Sequence, residues 1–165
     1  MRISMEGRAR VVGDDINTDY IIASTRKRDT LDEQVLKRYL LETVDPSFAA
    51  SAQPGDILVA GRNFGCGSAM EIAATVILAA GIKAVVAHTF NRTFYRNAVN
   101  NGLLPIECDT SGIVEGDRLS IVADDSALTV TTRDGTLASP PLAPMLASIL
   151  EAGGLVEFVK LSSRA

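Results

Sequence analysis

The segment Gly61-Arg62-Asn63-Phe64-Gly65-Cys66-Gly67-Ser68 places a hydroxyl, a thiol and three glycines within eight residues. Glycine allows backbone conformations and close approaches that a Cβ forbids, so such a turn can wrap a ligand in its own N–H groups. If Ser68 caps the helix that the next residues predict, its hydroxyl lies where free amides and the helix dipole favour an anion. Carboxylate and phosphate would both fit. A plain cap accounts for the same residues equally well, because short glycine motifs recur by chance. No Gly-Lys-Ser/Thr follows, so this is not a Walker loop, and the spacing is not a dinucleotide fingerprint. Cys66 could be a thiolate helped by the dipole, but with no His nearby a small residue fitting the turn is the simpler reading. Glu71, three residues after Ser68, reads as its capping-box partner.

Two charged runs and one histidine complete the set. Gly13-Asp14-Asp15-Ile16-Asn17-Thr18-Asp19 holds three Asp in six residues. They could bind a cation, but EF-hand spacing and a closing Glu are missing, and Asx turns explain them as well. Arg26-Lys27-Arg28 follows on a loop, where arginine forks suit carboxylates, unless the run is simply solvated charge. Arg92 and Arg96 are four apart and share a helix face, to meet an anion, a partner or solvent, with Phe94 and Tyr95 as core anchors. His88 follows a strand and is open to a catalytic or a structural reading.

The elements that must hold these residues follow from periodicity. Met1–Val12 reads as a strand entering the turn Gly13-Asp14-Asp15, and residues 31–42 as a helix with Leu31, Val35, Leu36, Tyr39 and Leu40 on one face. Residues 43–54, with Pro46 and Pro54, read as loop. Ile57–Ala60, a helix over 69–80 ending at Gly81, and Ala84–Ala87 make a βαβ unit with parallel strands. Phe94–Asn101 is a second helix and Leu104–Glu107 another strand. Asp117–Val122 and Ala127–Thr132 alternate as strands, with Asp134-Gly135 as a hairpin turn. A last helix over Met145–Ala152 stops at Gly153-Gly154.

Composition narrows the function. At 165 residues, 47% apolar and 22% charged, the chain suits one globular α/β domain over 1–165. Sixteen basic against twenty acidic residues leave a net charge of −4, which gives no general affinity for nucleic acid. Two Cys and one His cannot build a Cys/His zinc site, and no CxxC occurs. Cys66 and Cys108 suggest a reduced cytoplasm rather than a disulfide framework. Met1–Arg10 is no secretory signal, and Ile72–Ile82 is well short of the ~20 apolar residues that span a bilayer. No membrane is expected.

Taken in order, several of these segments resemble one family, the small subunits of isopropylmalate dehydratase and homoaconitase, equivalent to the aconitase swivel domain. The resemblance rests on Gly13–Asp19 with Ile21-Ile22, Asn63–Ser68, Ala80–Val85, Phe94–Ala98 with Asn101-Gly102-Leu103, and Ala152–Val156. It runs nearly end to end. What it implies is a swivelling β/β/α domain, as in the aconitase C-terminal domain, within a heteromeric hydro-lyase. A separate large subunit would hold a 4Fe–4S cluster, this chain would bind no cofactor or metal of its own, and the substrate would be a small malate-type dicarboxylate. Ser68 takes the position of the serine that removes the α-proton, with Gly67 beside it. Asp19 falls in the segment facing the active site, and Arg28, with Arg26 near it, in the loop that meets the distal substrate carboxylate. One departure bears on substrate: Gly67-Ser68-Ala69-Met70-Glu71 stands where the family reads Gly-Ser-Ser-Arg-Glu. A carboxylate-binding arginine is gone, so Arg26, Lys27 or Arg28 must compensate or the substrate differs, a methyl-substituted malate being one choice. A dicarboxylate-binding regulatory module and a stand-alone nucleotide-binding domain are the rival readings.

Overall fold

The computed structural model describes residues 2–164. Its layout follows from the ten-residue strand β1 (Arg2–Val11), whose two halves pair differently. Arg2–Arg8 runs antiparallel to β5 (Arg118–Asp124), while Ala9–Val11 runs parallel to β2 (Ile57–Ala60). Beyond β2 lie β3 (Ala84–Ala87) and β4 (Leu104–Glu107), all parallel. Beyond β5, β6 (Leu128–Thr132) and β7 (Gly135–Ser139) continue an antiparallel meander, giving the order β4-β3-β2-β1-β5-β6-β7.

Alternation along the parallel strands builds two cores. Leu58, Ala60, Val85 and Ala87 join a core with Ile77 and Phe94 from the helical layer. Ile57, Val59, Ala84 and Val86 face the other way, onto Leu119, Ile121 and Val130 of the meander. Parallel strands are stable when both faces are covered, and every residue of β2 and β3 is buried. Helix, sheet and folded-over meander make a β/β/α architecture. The helical layer comprises α1 (Thr18–Ile21), α2 (Glu33–Leu36), α3 (Phe48–Ser51), α4 (Glu71–Ala79) and α5 (Arg92–Asn100). Helices α6 (Pro144–Glu151) and α7 (Leu155–Ser162) close the chain, with Ile149 and Leu150 packed into the second core.

Strands Ile57–Ala60, Ala84–Ala87 and Leu104–Glu107 stand where the sequence places them; Met1 lies outside the described residues. The expected helix over 31–42 shrinks to α2 and a 3₁₀ turn, Lys37–Tyr39. The chain reverses at Leu41, at φ 55°, so Leu36 and Leu40 are buried while Leu31 and Val35 face outward. The stretch 43–54, read as loop, holds the one-turn helix α3, and the one-turn α1 was not read either. Two longer elements were not legible. β7 is mostly exposed and carries no apolar alternation, being recruited by the backbone pairing Thr132↔Gly135. α7 follows Gly153 and Gly154, which read as a stop but turn the chain between two helices at φ 89° and 130°.

A buried ion-pair cluster ties β1 to the segment before β2. Asp56 takes Nε and Nη2 of Arg8 at 3.1 and 2.8 Å and Nη1 of Arg10 at 3.5 Å. Arg10 also reaches Glu115 at 2.7 Å and Ser51 Oγ at 2.9 Å, and its guanidinium lies 4.3 Å over the Phe48 ring. Burial pushes the Asp56 carboxyl up, but hydrogen bonds from Arg8, the Gln53 amide and Arg10 outweigh it and hold it low. Removing one partner of such a cluster strands a buried charge, so Asp56→Ala should cost about 3 kcal/mol in denaturant unfolding at pH 7. Because the folded carboxyl titrates low, its contribution is complete above the ordinary carboxylate range and is lost as pH falls below about 4. The variant should therefore lose less stability than wild type between pH 5 and roughly pH 3, read from the same unfolding curves.

Candidate active site

The loops leaving the carboxyl ends of β1, β2 and β3 are laced together. Gly65 N donates to Ile16 O and Thr18 N to Cys66 O, both at 2.8 Å. Asp14 and Asp15 serve this junction: Asp14 Oδ1 accepts from Arg62 N at 2.7 Å and Asp15 Oδ1 from Asn63 Nδ2 at 3.1 Å. On the other side Phe64 N donates to Thr89 O at 3.0 Å and Asn91 N to Phe64 O at 2.9 Å. Phe64 itself is fully buried, edge-on to Phe94 at 5.1 Å. Parallel sheets commonly carry their chemistry in the crevice at this edge.

Ser68 does not cap a helix. α4 begins at Glu71, its N-cap is Met70, and no side chain caps it, so the Ser68–Glu71 capping box does not form. The cause lies in the first loop. Thr18 Oγ1 donates to the Ser68 carbonyl at 2.8 Å and Gly67 turns at φ 91°, so the chain bends at Gly67 and Ser68 and is extended at Met70, φ −133°, before the helix starts. The Ser68 side chain is exposed and its hydroxyl has no partner among the described residues. Nor do the amides of Gly67, Ser68, Ala69 and Met70 donate a hydrogen bond among those residues. Free N–H groups on the residues flanking a free hydroxyl favour negative charge at such a turn, whether on a ligand or on the serine oxygen.

The loop after α1 supplies charge. Asp19 Oδ1 accepts from Ser24, first from its hydroxyl and then from its amide, which holds the Asp19 carboxyl below the usual carboxylate range. Its observed side-chain bonds therefore go from α1 to the loop that follows it. Arg26 gives both arms of its fork to Glu42, at 2.8 and 3.0 Å, and stacks 3.9 Å over Tyr39. Arg28 is exposed and has no partner among the described residues. Lys27 is half-buried, with its ammonium against Met70 Sδ.

The remaining candidates lie around this centre. His88 Nδ1 is 3.9 Å from Asp109 Oδ1, and its amide donates to Gly61 O. Burial pushes the Cys108 thiol up to about 11, so it is protonated at neutral pH. Phe94 is a core anchor, whereas exposed Arg92 and Arg96 line a cleft of about 320 Å³ with Phe90, Tyr95 and Glu107. No group of three or more His, Cys, Asp or Glu converges as a metal site among the described residues. Thr18 and Lys27 are the positions that sequence reasoning undervalued. Thr18 meets Ser68 across 50 residues, a contact that no local spacing announces.

Residues 13–111 match the model of the aconitase C-terminal domain, and the chain belongs to that family. Its relatives are subunits of hydro-lyases by name. The 3-isopropylmalate dehydratase small subunit of Desulfovibrio desulfuricans is 44% identical over 160 residues, covering 96% of each chain. The methanogen homoaconitase small subunit of Methanocaldococcus jannaschii is 41% identical, over 94% of this chain and 91% of that one. A crystal structure of 3-isopropylmalate dehydratase from Methanocaldococcus jannaschii superposes with a TM-score of 0.91 at 39% identity, over 98% of this chain and 96% of that one.

Two glycines make the lacing sterically feasible. A Cβ on Gly65, at φ 81°, would lie 2.2 Å from the Phe94 ring, and one on Gly67 would lie 2.6 Å from Asn17 Oδ1. Both substitutions to Ala should destabilise, Gly67→Ala by roughly 1–2 kcal/mol and Gly65→Ala by more, since a buried ring must move. Thermal unfolding of the two variants beside wild type checks that order.

Proposed function

We propose that this chain is the small subunit of a heteromeric hydro-lyase that dehydrates and rehydrates a malate-type 2-hydroxy-dicarboxylate, as 3-isopropylmalate dehydratase does. The names of the relatives support the reaction class. The observation that carries this chain's own part is the unpartnered Ser68 hydroxyl among free amides on an exposed turn. In the dehydration direction a proton leaves the carbon beside a carboxylate, its bonding pair becomes the double bond, and hydroxide departs from the neighbouring carbon. Ser68 Oγ is assigned as the acceptor of that proton. A serine oxygen is a poor base in water, and the amides of Gly67–Met70 supply the positive potential that stabilises its anionic form.

The 4Fe–4S cluster implied for this family does not fit the residues here. Such a cluster needs three or four thiolates, and the chain has two cysteines, of which Cys108 is half-buried and held protonated. The proposal therefore leaves the cluster to a large subunit, and this chain, one swivel domain, closes over it with base and substrate pocket. Arg28, exposed and unpartnered, is assigned to the distal carboxylate. Arg26 and Asp19, held by Glu42 and Ser24, shape the loop that presents it. Two unpaired thiols suit a reducing cytoplasm, and no described helix is long and apolar enough to cross a membrane.

Ser68→Ala in the reconstituted pair tests the assignment. It should lower kcat by about 10²- to 10⁴-fold while leaving the melting temperature unchanged, since the hydroxyl bonds to nothing. Full activity in a correctly assembled variant would remove Ser68 from the mechanism.

A further inference from the structure

We infer that Lys27 binds the substrate carboxylate nearest Ser68, supplying from the first loop the cation that the Ser68 turn itself lacks. This rests on the dicarboxylate reading above. The three cations of the loop have different fates. Arg26 is neutralised by Glu42, and Arg28 stands in solvent. Lys27 is half-buried and crosses to the second loop, where its ammonium meets Met70 Sδ, two residues after Ser68.

A thioether is a weak acceptor, whereas an ammonium offers three strong donors. Lys27 forms no ion pair with any described carboxylate; Asp19, the one whose titration it lowers, is occupied by Ser24. The ammonium is therefore held against the catalytic turn without a direct ion pair, with the Ser24-bound Asp19 carboxylate as a coulombic neighbour only. Met70 packs against the helical core and fixes where that charge sits. A carboxylate placed there would meet Lys27 on one side and the free amides of Gly67–Met70 on the other. No other basic side chain makes a described contact with the turn from Gly67 to Met70.

The experiment uses this chain paired with its large subunit and a panel of 2-hydroxy-dicarboxylates. Lys27→Met should raise KM by roughly 10- to 100-fold and change kcat less than about threefold, because a charge-assisted hydrogen bond to bound substrate is lost. Lys27→Arg keeps the charge and should keep KM within about threefold of wild type. The double variant Lys27→Met/Met70→Arg returns a cation to the same place from the other loop, and should recover most of the lost affinity. A Lys27→Met pair with unchanged KM, or a double variant no better than the single one, would overturn the assignment of Lys27 alone. A wild-type pair that turns over no member of the panel would overturn the proposed function, and Lys27's role with it.

Discussion

The site depends on two loops lying closer together than side chains allow. Gly67 is where they touch, against Asn17, while Gly65 lets the second loop pass beneath the Phe94 ring of α5. With that approach made, Gly65 N donates to Ile16 O and Thr18 N to Cys66 O, as if the strands continued. Thr18 can then hold the Ser68 carbonyl, and the helix does not begin until Glu71. The free hydroxyl and free amides are products of this constraint. An ordinary helix cap in the same place would have consumed both.

The rest of the fold keeps those loops in register. β1 belongs to both halves of the sheet, so the meander and the parallel strands cannot shift independently. Near the start of β2, Asp56 collects Arg8 and Arg10, which ties the amino end of β2 to the carboxyl half of β1. At the other end Phe64 carries the second loop onto the third through Thr89 and Asn91. What emerges is a rigid edge with an exposed turn. Such a surface suits a chain whose catalytic partner groups come from another subunit.

Much of this was legible in the sequence. The βαβ unit declared itself because its strands are short apolar runs covered on both faces, set off by glycines. The backbone demands of Gly61–Ser68 were also legible, since glycine spacing reports them directly. The geometry of that segment was not. Ser68 is held through its carbonyl by Thr18, 50 residues away, and does not cap α4; tertiary contacts of that kind leave no periodic trace. The arginines show the same limit: Arg26 and Arg28 look alike in sequence, yet Glu42 and Tyr39 engage only Arg26. β7 and α7 escaped for a further reason, as one carries little apolar pattern and the other follows a pair of glycines that usually ends a helix.

The central claim is that this chain carries half of an active site. The direct measurement is hydro-lyase activity as the chain is titrated into a cluster-loaded large subunit. The account predicts no turnover from either component alone, and a rate that climbs with added chain and levels off at one chain per large subunit. A full rate from either component by itself would contradict it.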